Sequence, residues 1–124
     1  MIPKFRAWDK ENNEMLSASK MWSIGLFISG YGDIWHIDDV HGIFEDVSDR
    51  YILMQYTGLK DKNGVEIYEG DIVKLNVPTY KTSTKVIYTL YDAFVLESNV
   101  ESSDYIEVSG NIYEHPELLK EQNK

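Results

Sequence analysis

The sequence contains no cysteine. That absence excludes disulfides, thiol nucleophiles and thiolate zinc sites together. Proline is scarce, with three in 124 residues, and Arg6 and Arg50 are the only arginines. The densest apolar patch, Ile24–Ile28, is far short of the roughly 20 residues that span a bilayer. Near the start, Asp9, Lys10 and Glu11 arrive before any apolar stretch develops, so no secretory leader is expected. A cytoplasmic location is expected.

Basic charge is in deficit too. The formal net charge is −9. Six acids (Asp33, Asp38, Asp39, Glu45, Asp46, Asp49) fall between Asp33 and Asp49 with no Lys or Arg, and seven more fall between Val86 and Leu119. Lys60, Lys62, Lys74, Lys81 and Lys85 lie between the two blocks. Binding to a phosphate backbone gains its energy from Lys and Arg displacing counterions, so direct nucleic-acid binding is disfavoured. Anionic membrane surfaces are disfavoured for the same reason.

What is present suits β structure. The chain has 43% hydrophobic and 13% aromatic residues, including nine Tyr, which excludes intrinsic disorder and favours pleated, half-buried surfaces. Its length fits one domain of about 100–200 residues. Strands are expected at Lys4–Trp8, Ile34–Val40 (an edge or half-exposed strand), Tyr51–Thr57, Val65–Tyr68, Ile72–Val77 and Tyr105–Ser109, with Ile112-Tyr113 as a last short pairing. Asn12-Asn13, Asn63-Gly64, Glu69-Gly70-Asp71 and Gly110-Asn111 are turn signals. Thr84–Leu90 and Phe94–Leu96 are expected to form a hairpin around Tyr91-Asp92-Ala93, while Met15–Ile28 fits neither period. Polar loops are expected at 79–84 and 99–103. Only the end looks helical, about 115–121, with His115 capping and Pro116 in the first turn. The predicted fold is mainly β, with short antiparallel strands, a C-terminal SH3-like small barrel and one short C-terminal helix. It is expected as a single domain over 1–124, with a β portion about 1–57 and a barrel-like portion about 65–113.

Three segments stand out together: Phe5-Arg6-Ala7-Trp8-Asp9, Leu53–Val73 (LMQYTGLKDKNGVEIYEGDIV) and Gly110–Leu119 (GNIYEHPELL). In order and spacing they resemble the YopX family, encoded by phages and prophages of bacteria. The resemblance implies a phage or prophage origin, a largely β fold and self-association, so the cytoplasm expected above is that of a bacterial host. It implies no reaction, so no catalytic residue is carried over. Trp8, Asp9, Tyr56, Gly58, Gly64, Gly70, Asp71, Gly110 and Asn111 are its structural-motif positions. The glycines are expected where turns need positive φ or close backbone approach. Asp71 is expected to accept from its turn's amides, and Tyr56 and Tyr68 to fill the core.

Candidates for chemistry are few. His36, Asp38, Asp39 and His41 form the only cluster with metal-ligand residue types. On a strand they alternate between two faces, so a shared ion would require a bulge, and strand polarity accounts for them without a metal. No Gly-x-Ser-x-Gly elbow and no phosphate-cradling glycine loop occurs. Neither an enzyme nor a cofactor is expected. Arg6, Trp8 and Arg50 suit either a subunit contact or an internal brace. The leading expectation is a non-catalytic phage accessory protein that forms a homo-oligomer and binds a host or phage protein. The alternatives are an acidic mimic that occupies the nucleic-acid groove of a host protein, and a small-molecule-binding barrel.

Overall fold

The computed structural model describes residues 3–38, 40–79 and 81–119. The chain divides into two compact units, one of Lys4–Met54 and one running from Gln55 onward together with Pro3. The fold is mainly β, with antiparallel sheets, one of them curled into a half-barrel, and few helices.

In the first unit, β1 (Phe5–Asp9) pairs with β2 (Glu14–Leu16), so that Ala7 faces Leu16. Asn13 closes the intervening turn at φ 51°, as an Asn-Asn turn predicts. Helix α1 (Ala18–Ser23) follows, and the Ser17 hydroxyl caps it by accepting from the Lys20 amide at 3.2 Å. Strands β3 (Leu26–Ile28), β4 (Ile34–Asp38) and β5 (Ile43–Asp46) make a three-stranded sheet in that order. Strand β4 is therefore central, not an edge; the sequence offers no alternation at β5, whose four residues are all exposed. Ala7, Leu16, Met21, Leu26, Ile34 and Tyr51 form this unit's core. Tyr51 opens β6 (Tyr51–Lys60), the ten-residue strand beside β1 that carries the chain into the second unit.

In the second unit, β7 (Glu66–Tyr68) pairs with the distal half of β6, bringing Tyr56 opposite Tyr68 with ring centroids 5.5 Å apart. The register shifts between Tyr56 and Lys60, and Gly58 sits inside that irregularity at φ 89°. Strand β8 (Asp71–Leu75) lies between β9 (Ser83–Ile87) and the last strand, β10 (Ile106–Asn111). Between β9 and β10 comes α2 (Leu90–Asn99), where a hairpin was expected. The reason is a capping box: the Thr89 hydroxyl accepts from the Asp92 amide at 3.3 Å, and the Asp92 carboxylate accepts from the Thr89 amide at 3.0 Å. Asp92 thus starts a helix instead of turning a hairpin. Ile67, Val73, Ile87, Ala93, Leu96 and Ile106 make the core. In the loop expected at 79–84, Tyr80 lies outside the described residues and β9 already begins at Ser83.

Of the short pairing expected at Ile112-Tyr113, the Ile112 amide still donates to the Gly70 carbonyl at 2.9 Å, but no strand forms and the chain turns. The Asn111 carboxamide accepts from the amides of Tyr113 at 3.0 Å and Glu114 at 2.8 Å, and the Asn111 amide donates to His115 Nδ1 at 3.2 Å. Leu118 and Leu119 then donate to the carbonyls of His115 and Pro116 in the first helical turn. The remainder of the helix expected at about 115–121 lies outside the described residues from position 120. A Cβ on Gly110 would stand 2.6 Å from His115 Nδ1, so the ring occupies the space the glycine leaves. Gly110→Ala is expected to cost about 1–3 kcal/mol in urea denaturation, as overpacking does. Adding His115→Ala should recover part of the loss, because the two positions share one contact.

Candidate functional site

Among the described residues, three carboxylates and one carboxamide are buried: Asp9, Asp61, Asp71 and Asn111. Buried polar groups persist only when hydrogen-bonded, and each of these is turned onto backbone. Asp9 accepts from the amides of Glu11 at 3.0 Å and Asn12 at 3.3 Å, and from Arg50 Nε at 3.1 Å and a terminal guanidinium nitrogen at 3.0 Å. The two-pronged Arg50 contact holds the Asp9 carboxyl below the usual carboxylate range, against burial, with the Asn12 and Glu11 amides assisting. Arg50 also pairs with Glu11 at 3.1 Å and lies 5.3 Å from the centre of the Tyr51 ring. It braces its own unit.

Asp61 was not among the sequence candidates, and it ties the second unit together. One oxygen accepts from the amides of Asn63 at 2.8 Å and Val65 at 2.9 Å; the other accepts from Val108 of β10 at 2.9 Å. Burial pushes its pKa up, but the Val108, Val65 and Asn63 amides outweigh that and leave it lowered. The missed signal is Asp-x-Asn-Gly, an Asp two residues ahead of a turn, poised to accept from it. Asp71 accepts from the Tyr68 amide at 2.7 Å, as expected of its turn. Gly64 and Gly70 take φ of 79° and 90°, conformations that other residues adopt at a cost. Trp8 is buried beside Asp9.

The histidine–aspartate cluster does not converge. The Asp38 carboxylate accepts from the amides of Val40 at 3.0 Å and His41 at 3.3 Å and meets His41 Nδ1 at 2.8 Å, while Asp39 lies outside the described residues. The His41 contact lowers the Asp38 pKa. Among the described residues no three His, Asp or Glu side chains are grouped to hold a metal ion. Among them, too, no helix is long and apolar enough to cross a membrane.

What the motifs do not use is apolar surface. On α2, Ala93 and Leu96 face the core, yet Tyr91 is 71% and Phe94 64% exposed, with Leu90 and Val95 also exposed. A helix apolar on both sides suits a place between two surfaces, and among the described residues only the core covers α2. Beside it a groove of about 660 Å³ runs between α2 and the sheet, with Leu75, Val86 and Val95 as apolar lining and Lys81, Lys85 and Asp92 as charged lining. The first unit has a counterpart. The β3–β4–β5 register puts Phe27, Trp35, Ile37 and Phe44 on one face, opposite the core-facing Leu26 and Ile34. Phe27 and Phe44 meet edge-to-face at 6.3 Å, and Phe44 is 61% exposed. An antiparallel sheet with one solvated face normally carries polar residues there.

Two β-rich units whose buried carboxylates accept from backbone amides, each with exposed aromatic residues, define a small β scaffold by class. The family described as YopX protein matches residues 4–120, and the chain belongs to it. Protein EF1440 from Enterococcus faecalis is similar in structure, with a TM-score of 0.58 and 30% identity over 96% of this chain and 99% of that one. Protein yopX from Bacillus subtilis shares the fold at a TM-score of 0.53 and 22% identity, over 92% of this chain and 95% of its own. Among curated proteins none matches the sequence.

Proposed function

We propose that this protein is a non-catalytic phage or prophage accessory module of the bacterial cytosol that self-associates and, assembled, binds a host or phage protein. The observation that carries the proposal is the outward stripe of α2, Leu90, Tyr91, Phe94 and Val95, which is apolar and unpartnered. Exposed aromatic patches of this kind mark interaction sites. A non-catalytic role is supported by the buried carboxylates: Asp9, Asp61 and Asp71 accept from backbone amides. Acid–base chemistry needs a carboxylate that can reach a substrate proton.

An acidic mimic of nucleic acid is less well supported, because carboxylates in both of its lysine-free blocks are committed locally, Asp92 to the Thr89 amide at 3.0 Å among them. Asp38 binds the 40–41 amides and His41, and Asp46 accepts from the Ser48 amide at 2.9 Å. A small-molecule site finds support in the size of the groove, which falls within the usual pocket range of about 300–1,000 Å³. Size-exclusion chromatography with light scattering separates these. The parent protein is expected to elute as a multimer and Phe94→Asp as a 14.4 kDa monomer with unchanged thermal stability. A Phe94→Asp protein that assembles like the parent would remove α2 from the contact.

A further inference from the structure

Strand β4 is central in its sheet, and its backbone groups alternate between its two neighbours. The Ile37 amide donates to the Gly25 carbonyl and the Ser29 amide to the Asp33 carbonyl, each at 2.9 Å. Odd positions therefore bond toward β3. The even ones, Ile34, His36 and Asp38, are left for Val47, Glu45 and Ile43, and the Val47 amide meets the Ile34 carbonyl at 2.8 Å. It follows that the N–H and C=O groups of Phe44 and Asp46 point away from β4. Among the described residues no backbone group takes them up.

All four β5 residues are exposed, and the strand pairs without a bulge. An open edge of this kind is a template for another strand, and Lys, Pro or a bulge usually blunts it. Strand β5 has none of the three. Its residues are instead sorted along its length: Ile43 and Phe44 are apolar, Glu45 and Asp46 acidic. A strand laid beside β5 meets all four, whichever face of the sheet each occupies. A second β5 would bring the same carboxylates alongside, within a stretch from Asp33 to Asp49 that has no Lys or Arg. That opposes pairing of the edge with itself. Asp46 gives one oxygen to the Ser48 amide at 2.9 Å, and Ser48 holds its carboxyl below the usual range, so the charge persists.

We propose that the outer edge of β5 takes up an extended basic segment of another polypeptide as a fourth, antiparallel strand of the β3–β4–β5 sheet. From its N-terminus, the segment places two Lys or Arg residues opposite Asp46 and Glu45, then two apolar residues opposite Phe44 and Ile43. Main-chain hydrogen bonds to Phe44 and Asp46 hold it, while the charge pairs fix its direction and register. This rests on the partner binding proposed above and not on self-association through α2.

Selection of short random peptides, displayed on beads, against the full chain supplies the probe. The recovered peptides are expected to share two adjacent basic residues followed by two apolar ones, with no proline among them. Amide hydrogen exchange by NMR then reads the edge directly. In the free protein the Phe44 and Asp46 amides should exchange faster than those of Ile43 and Glu45, and an excess of recovered peptide should protect both. Replacing the peptide's basic pair by Glu should weaken binding at least about tenfold. Phe44→Pro removes an outward donor but no bond to β4, so it should bind the peptide roughly tenfold more weakly than Phe44→Ala. Recovered peptides without the basic pair, no recovered peptide, or unprotected Phe44 and Asp46 amides would each overturn the proposal. Protection that maps to α2 instead would leave partner binding standing and remove β5 from it. Concentration-dependent protection of Phe44 and Asp46 in the protein alone would make a second copy the occupant, and would overturn it too.

Discussion

Asp61→Ala is expected to lower the free energy of unfolding by about 3–5 kcal/mol. The substitution strands three backbone donors at once, and a buried donor left without an acceptor costs about 1–3 kcal/mol. The Asn63 and Val65 amides belong to the turn itself and regain some water, whereas the Val108 amide sits in β10, 47 residues away, under a carboxylate built to meet it. The loss therefore loosens the turn and the last strand together. Asp61→Asn keeps one acceptor oxygen and should cost about half as much. Urea denaturation followed by tryptophan fluorescence measures both. Equal losses for Ala and Asn would mean that charge, not hydrogen bonding, is what the site supplies.

Asp9→Ala is the second large effect, at about 2–4 kcal/mol, because it removes the partner of two turn amides and of the Arg50 fork. The same pair sets the acid sensitivity. Asp9 and Asp61 both titrate lower folded than in an ordinary carboxylate. Near pH 4 the unfolded chain therefore binds more protons than the folded one. Their contribution is complete above the unfolded pKa, about 3.9, and fades as pH falls through the lower folded values. Asp9→Asn removes one of the lowered titrations. Its stability should fall less steeply below about pH 4 than the parent's, and a parallel decline would exclude Asp9 from the linkage.

Much of this scaffold was legible because its turns are written in residue types with few alternatives. Asn63-Gly64 and Gly70-Asp71 stand where the chain reverses, and β6 lies where an apolar, aromatic run announces a strand, whereas Gly110-Asn111 closes β10 and the turn comes just after it. The two helices inside the chain were not legible in the same way. Helix α1 is six residues long, too short for a period to show, and only Ser17 signals its start. Helix α2 carries apolar residues on both sides, so its sequence alternates like a strand as well as it repeats like a helix; Thr89 and Asp92 decide the matter. That ambiguity and the candidate site have one cause. A helix that covers the core on one side and carries exposed apolar residues on the other has no polar face to betray its period. Arg50 illustrates the converse: the sequence left it between a subunit contact and an internal brace, and only the fold brings Asp9 to it across 41 positions.

Sedimentation equilibrium of the unmodified protein, from micromolar to near-millimolar concentration, tests recognition by self-association most directly. The weight-average mass should rise reversibly with concentration above the 14.4 kDa of one chain. A mass that stays at the single-chain value over the whole range would contradict the assignment of α2 as a surface awaiting a second copy.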